Sequence, residues 1–273
     1  MNGTTSTHQF GGLSVGFRLM VGVILLLGLA GCGGGGGSGN QDASGLYKNG
    51  TATLDPGGTD LMIFDLRAFV HGNRIIMFSI DEHILVDGQI SSINGSDFNA
   101  TVDLYETGEM TQPNISVSGT VTSQSSISGT LNGTGVGSGN FNLTFDLLYN
   151  RGATTTRISA PIGNGWTGLV NMFTAGLATN NFETANSDTT YNFESTNSSS
   201  ITCSHNGTIA ISDSTVNIYS LQESISDAVS CDGSLIATDY SGFAAVVDGV
   251  GTDDTLLYAV TNATHSVFAV LSR

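Results

Sequence analysis

Basic residues are what this sequence has least of. Seven Lys and Arg stand against 23 Asp and Glu, for a formal net charge of -16. A nucleic-acid partner needs a cationic face to displace phosphate counterions, so nucleic acid is excluded as a partner. An anionic lipid surface repels such a chain as well, so any membrane attachment has to come from a lipid or an apolar segment. Lys and Glu are scarce, while 37 glycines together with Ser, Thr and Asn fill the polar positions. That composition disfavours helices and favours short strands joined by tight turns. No long segment carries a helical stripe, and the best short candidate, Ser220 to Val229, reads equally as strand and loop. A Gly-x-Ser-x-Gly elbow is missing, so a hydrolase triad has no anchor; the chain is read as non-enzymatic, with no catalytic residue. The five histidines, His8, His71, His83, His205 and His265, are scattered without metal-ligand spacing. They are expected on the surface, and neither a metal nor another cofactor is expected. The glycine-rich Gly133-Thr134-Gly135-Val136-Gly137 lies between strand-like runs with no helix behind it, which makes it a hairpin rather than a phosphate loop. Asp248 to Asp254 lacks the alternating ligands and closing Glu of a calcium loop and reads as an acidic turn.

What is present begins at the N-terminus. Residues 1–18 hold no acid and one base, Arg18, and an apolar run from Leu19 to Ala30 follows. Its length suits a signal-peptide core and is too short to span a bilayer. Directly after it stands Leu29-Ala30-Gly31-Cys32. This segment resembles the bacterial lipobox, in which an aliphatic residue and two small ones precede a cysteine. The resemblance implies that residues 1–31 are a lipoprotein signal peptide cut before Cys32. The Cys32 thiol then receives a diacylglycerol, and the new amine is acylated by a fatty acid such as palmitate. Gly33 takes the place of the Asp that, in enteric-type sorting, retains lipoproteins at the inner membrane. The resemblance therefore implies an outer-membrane address in the cell envelope, with the membrane reached through covalent lipid. Loss of residues 1–31 removes only Arg18 among the charged residues, leaving six bases against 23 acids, or -17. Residues 32–45, rich in Gly and Ser, read as a flexible tether.

From Leu46 onward the period is two. Phe98, Ala100, Val102 and Leu104 alternate with Asn99, Thr101 and Asp103, and Phe141, Leu143, Phe145 and Leu147 alternate with Asn142, Thr144 and Asp146. Such runs are half-buried antiparallel strands. Hairpin-turn dipeptides punctuate them: Asp87-Gly88, Asn94-Gly95, Asn132-Gly133, Asn206-Gly207 and Asp248-Gly249. Ser118-Gly119-Thr120-Val121 recurs as Ser128-Gly129-Thr130-Leu131, as in neighbouring strands of a meander. The turn-rich Pro161 to Gly165 divides the body into a module over 46–160 and a second over 161–273. Each opens alike, with Gly45-Leu46-Tyr47 and Gly165-Trp166, and each closes on an apolar strand, Phe141 to Tyr149 and Ser266 to Ser272. The fold class is all-β: two small antiparallel barrels or sandwiches, with a single two-sheet domain as the alternative. The opening Gly-aromatic strand is similar to that of up-and-down ligand barrels such as lipocalins and avidins, which implies a small apolar ligand as an alternative to an interaction or structural role. As a whole the layout resembles uncharacterised β-rich lipoproteins of Gram-negative envelopes.

Once Cys32 is assigned to lipid, Cys203 and Cys231 remain. An even pair in an exported chain reads as a disulfide. Strand-like runs over Thr208 to Ser212 and Thr215 to Leu221 would return Cys231 beside Cys203, and bridging requires Cα atoms within about 7 Å. In the chain-entropy model the loop closure is worth about 3–4 kcal/mol. Cys203→Ser is therefore expected to lower the melting temperature of the second module and spare the first, as read by calorimetry on unreduced protein.

Overall fold

The computed structural model describes residues 39–55, 61–134, 137–158, 166–171, 177–184, 190–196, 202–229 and 231–273. Cys32, the signal peptide, His8 and the boundary stretch Pro161 to Gly165 lie outside the described residues. The body is all-β, built from two closed barrels of eight antiparallel strands. The first comprises β1 (Gly45–Leu54), β2 (Leu61–His71), β3 (Arg74–Ser79), β4 (Ile84–Asn94), β5 (Asp97–Glu106), β6 (Glu109–Thr122), β7 (Ser126–Gly133) and β8 (Gly137–Phe145). The second comprises β9 (Trp166–Asn171), β10 (Leu177–Thr184), β11 (Thr190–Thr196), β12 (Thr202–Ala210), β13 (Tyr219–Val229), β14 (Ala237–Val247), β15 (Thr255–Thr261) and β16 (Ser266–Ser272). Each is a meander closed by its first and last strands, β1 on β8 and β9 on β16. Closure leaves no open sheet edge.

Alternation makes the first barrel. Along β5, Phe98, Ala100, Val102 and Leu104 are buried while Asp97, Asn99 and Thr101 face water. Inward side chains such as Ala52, Ile63, Met77, Val102, Val117 and Leu143 are each 5% exposed or less, so apolar groups fill the lumen. The recurring Ser-Gly-Thr segments are neighbours in space, with Gly119 opposite Gly129 across β6 and β7. Pro113 sits where β6 slips register against β5, and the Asn114 amide donates to Asp103 Oδ1 at 2.8 Å. A bulge is where a strand tolerates proline.

Several local expectations are corrected. Asp87-Gly88 and Asn206-Gly207 lie within β4 and β12 rather than in turns. At Gly88 a Cβ would stand 2.0 Å from the Thr101 carbonyl oxygen, so this glycine admits a close neighbouring strand. Asn132-Gly133 ends β7 instead of turning, whereas Asn94-Gly95 does turn, with Gly95 at φ 63°. The strand expected to run to Tyr149 stops at Phe145, because Asp146 caps a 3-10 turn over Leu147–Arg151 by accepting from the Leu148 amide at 3.0 Å. Ser220 to Val229 is strand throughout, and Thr215 lies in the loop before β13.

The barrels are joined along a seam. β14, β15 and β16 are buried on both faces, which is why Leu256-Leu257-Tyr258-Ala259-Val260 and Val267-Phe268-Ala269 do not alternate. One face fills the second barrel. The other, with Phe243, Ala245, Leu257, Ala259 and Phe268, belongs to the same apolar cluster as the first barrel. Phe69 stacks on Phe78 at 5.7 Å, Phe78 meets Phe268 at 5.7 Å, and Phe69 meets Phe243 at 6.2 Å. Backbone bonds extend the seam: the Met110 amide donates to the Thr264 carbonyl and the Ser266 amide to the Gly108 carbonyl, both at 2.8 Å. Residues 38–273 accordingly pack as one compact unit. The seam also corrects the thermal expectation for Cys203→Ser. Two barrels that share a core lose it together, so the destabilisation falls on a single transition rather than on the second module alone.

Between β8 and β9 a strap crosses from one barrel to the other. Tyr149 packs on Phe145, while Ala153 and Ile158 enter the second core. Trp166 donates from Nε1 to the Ile158 carbonyl at 2.9 Å, and Tyr47 donates to the Ala43 carbonyl at 2.8 Å. The two aromatic residues that open the modules thus each close an end of a barrel. Phe268 is 0% exposed at the centre of the seam; Phe268→Ala is expected to cost about 3–5 kcal/mol, read as a fall in the denaturation midpoint.

Candidate functional site

Two polar constellations stand out from the apolar framework. The first lies inside the second barrel. β11, β12, β13 and β14 place Tyr191, Gly207, Glu223 and Tyr240 in one row of paired positions. Tyr191 donates to Glu223 Oε2 at 2.6 Å, and Tyr258, from β15, donates to the same oxygen. His205 Nδ1 lies 2.9 Å from Glu223 Oε1. All four side chains are buried, with His205 at 0% and Glu223 at 2% exposure. A buried carboxyl group is tolerable when hydrogen-bond partners surround it, and here two tyrosine hydroxyls donate to it and the His205 ring nitrogen is within hydrogen-bond distance. Gly207 makes this geometry accessible. A Cβ there would stand 2.4 Å from the Tyr191 ring, so only glycine lets that ring cross β12 to reach Glu223.

The surface expectation for the histidines is therefore corrected. His205 is enclosed, His265 is 8% exposed, and His71 and His83 are half-buried. His265 is drawn into the seam by its bridge to Glu109. Sequence reading missed the His205 cluster because its four members come from four strands and span 67 residues, from Tyr191 to Tyr258. The one local signal was Glu223, a charged residue at an inward position between Leu221 and Ile225.

The second constellation is a cleft of about 400 Å³ where the barrels meet, lined by Arg74, Asp87, Asp103, Tyr105, Asp239 and Asn262 among others. Arg74 forms its floor. Its Nε and Nη2 donate to the two oxygens of Asp87 at 2.9 and 2.7 Å, and Nη1 donates to Ser241 Oγ at 3.1 Å. Thr261 donates to Asp87, and Tyr105 donates to the Asn262 carbonyl at 2.8 Å. A planar guanidinium engaged bidentately and then tied to a second barrel is an orienting clamp rather than a free cation.

The other described cations are engaged too. Lys48 pairs with Asp146, Arg67 with Asp65, Arg151 with Asp248 and Asp253, and Arg157 with Asp253. Arg273 lies over the Trp166 ring at 4.4 Å. The expected acidic turn, Asp248 to Asp254, thereby acquires a use. Arg151 and Arg157 from the strap hold two of its carboxylates, and the Arg151 hydrogen bonds bring Asp248 down to about 2. The structure joins Cys203 and Cys231 in a disulfide, with Cα atoms 4.9 Å apart. The bridge pins the loop after β13 over one end of the second barrel, where Leu235 is buried and accepts from the Tyr240 hydroxyl at 3.0 Å. Among the described residues no helix is long and apolar enough to cross a membrane.

No family model and no curated protein matches this chain. Among solved structures it is similar to the isotype 1 transferrin binding protein B from serogroup B Neisseria meningitidis, at 8% identity and a TM-score of 0.20, covering 84% of this chain and 75% of that one. At that score the likeness decides nothing about partner or activity.

Burial raises the pKa of Tyr47, Tyr105 and Tyr240 and so suppresses their ionisation, and at Tyr191 the Glu223 charge adds to burial. Folded tyrosine then keeps its proton where the unfolded chain, titrating near about pH 10, gives it up. Stability is full below that pH and falls as pH rises above it. In an alkaline absorbance titration these four are expected to ionise only with unfolding; ionisation of all seven tyrosines in the folded protein near about pH 10 would contradict their burial.

Proposed function

We propose that this chain is a lipid-anchored envelope protein whose double barrel is a non-enzymatic interaction or structural module. The observation that carries the reading is Leu29-Ala30-Gly31-Cys32 placed between an apolar run and a glycine-rich leash. A cysteine so placed is modified and then becomes the first residue of the mature chain. The fold is in keeping with this. Closed barrels present no edge for pairing with other strands, and the shared seam makes the body a single rigid platform. With the described cations engaged internally, that platform presents mainly acceptors to its surroundings. Apolar side chains occupy the lumen of the first barrel, and the second encloses a carboxyl group, so neither described interior suits an apolar cargo. The address is the outer membrane, reached through lipid on Cys32.

The test is metabolic labelling with radioactive palmitate in a Gram-negative host, followed by membrane fractionation. The wild-type chain is expected to carry label and to sediment with outer membrane. Cys32→Ala is expected to lose the label and remain uncleaved. Labelling that persists in Cys32→Ala would refute the anchor.

A further inference from the structure

The leash is shorter than its composition suggests. Residues Asn40 to Ser44, which read in sequence as flexible tether, are fastened across one end of the first barrel. The Gln41 amide donates to the Gly95 carbonyl at 2.7 Å, and the Gly95 amide donates to Asn40 Oδ1 at 3.1 Å. The Asp42 amide donates to Ser123 Oγ at 2.9 Å, and Ser123 Oγ donates back to the Asp42 carbonyl at 3.0 Å. Ala43, 2% exposed, closes the barrel mouth, and its carbonyl accepts from Tyr47. With the Ser123 amide donating to Gln41 Oε1 at 3.3 Å, five bonds fix the chain to the turns at Gly95 and Ser123. Eight residue steps separate Cys32 from Asn40, and whatever their conformation they can reach no more than about 28 Å.

Charge is distributed along the same axis. The turns of the fastened end, Gly72-Asn73, Gly95-Ser96 and Ser123 to Ser125, carry no charged side chain. Asp42 and Asp97 flank them, Asp213 lies near His71 beside the first of them, and Asp254 stands in the adjoining acidic turn, while Lys48 neutralises Asp146 and Arg151 and Arg157 hold Asp248 and Asp253. The opposite end carries Asp55, Asp81, Glu82, Glu106 and Glu109 on or beside its turns, and none of these has a described ion-pair partner. A bilayer with anionic headgroups repels acidic ends.

Resting on the Cys32 anchor, we infer that the fastened end of the first barrel is a membrane-facing surface: its uncharged turns stand over the lipid headgroups, and the acidic end points away. The short leash, the position at which it is fastened and the charge polarity all select that face, and the occupant they select is the lipid surface.

The experiment uses the full lipidated chain in vesicles of phosphatidylethanolamine and phosphatidylglycerol containing a headgroup-nitroxide lipid. A fluorophore is attached through single cysteines at exposed positions, Asn73→Cys or Ser125→Cys at the fastened end and Asp81→Cys or Thr134→Cys at the other. Quenching at the fastened end is expected to exceed that at the acidic end by about threefold or more, given the reach of the leash. Asn40→Ala combined with Ser123→Ala, which removes three of the fastening bonds without touching the lipid, is expected to lower the ratio. Equal quenching at both ends of the palmitoylated wild type overturns the orientation, as does an unchanged ratio in that variant. Failure of the chain to take palmitate bears instead on the anchor itself and is read separately by the labelling experiment.

Discussion

The burial of β14, β15 and β16 on both faces is the constraint from which most of the architecture follows. A strand that serves one barrel alone has one wet face and can alternate. These three cannot, because the face away from their own lumen is covered by β2 to β5 of the first barrel. Phe243 and Phe268 on one side and Phe69 and Phe78 on the other make a single aromatic contact zone. Remove it, and each barrel would expose a patch of the kind that soluble domains do not leave uncovered. The clamp at Arg74, the backbone bonds between the Gly108 and Thr264 turns, and the strap with Arg151 and Arg157 all lie around that zone and fix its register.

Scarcity of cations gives the polar contacts their pattern. With so few Arg and Lys, each one described is engaged with a carboxylate or an aromatic ring, mostly where segments distant in sequence must be held together. Arg74 ties β3 to β14 and β15, and Arg151 and Arg157 tie the strap to the loop after β14. Most of the other described acids stay solvated, which is where their hydration is cheapest. Glu223 departs from this, held by the Tyr191 and Tyr258 hydroxyls and the His205 ring together with the space left by Gly207.

Legibility in the sequence followed the range of the interaction. Alternation along β5 and β8 was plain because period two is a local property. So was the neighbouring of the two Ser-Gly-Thr segments, since a meander pairs what is adjacent in the chain. Asp87-Gly88 and Asn206-Gly207 misled because the same dipeptide that favours a turn also suits a crowded strand, and only the partner strand distinguishes the two. The unbroken apolar runs Ile75 to Phe78 and Val267 to Leu271 fit strands buried on both faces, but nothing local says that the second cover is another barrel. His205 looked solitary because its partners Tyr191, Glu223 and Tyr258 reach it only once the barrel has closed.

By itself the sequence determined the β character, the period of most strands and a strongly acidic balance of charge; it also left Cys203 and Cys231 as a pair once Cys32 is set aside. These depend on composition, on neighbours two residues apart, or on counting. The tertiary structure alone decided that the units are closed barrels, that they share one core, that His205 and Glu223 face each other in a buried interior, and that Asn40 to Ser44 are fastened to the first barrel. Each of these depends on which surface a residue meets across space. Gly95 and Ser123 lie more than fifty residues beyond the segment they fasten, and no local pattern in Asn40 to Ser44 could name them as its partners.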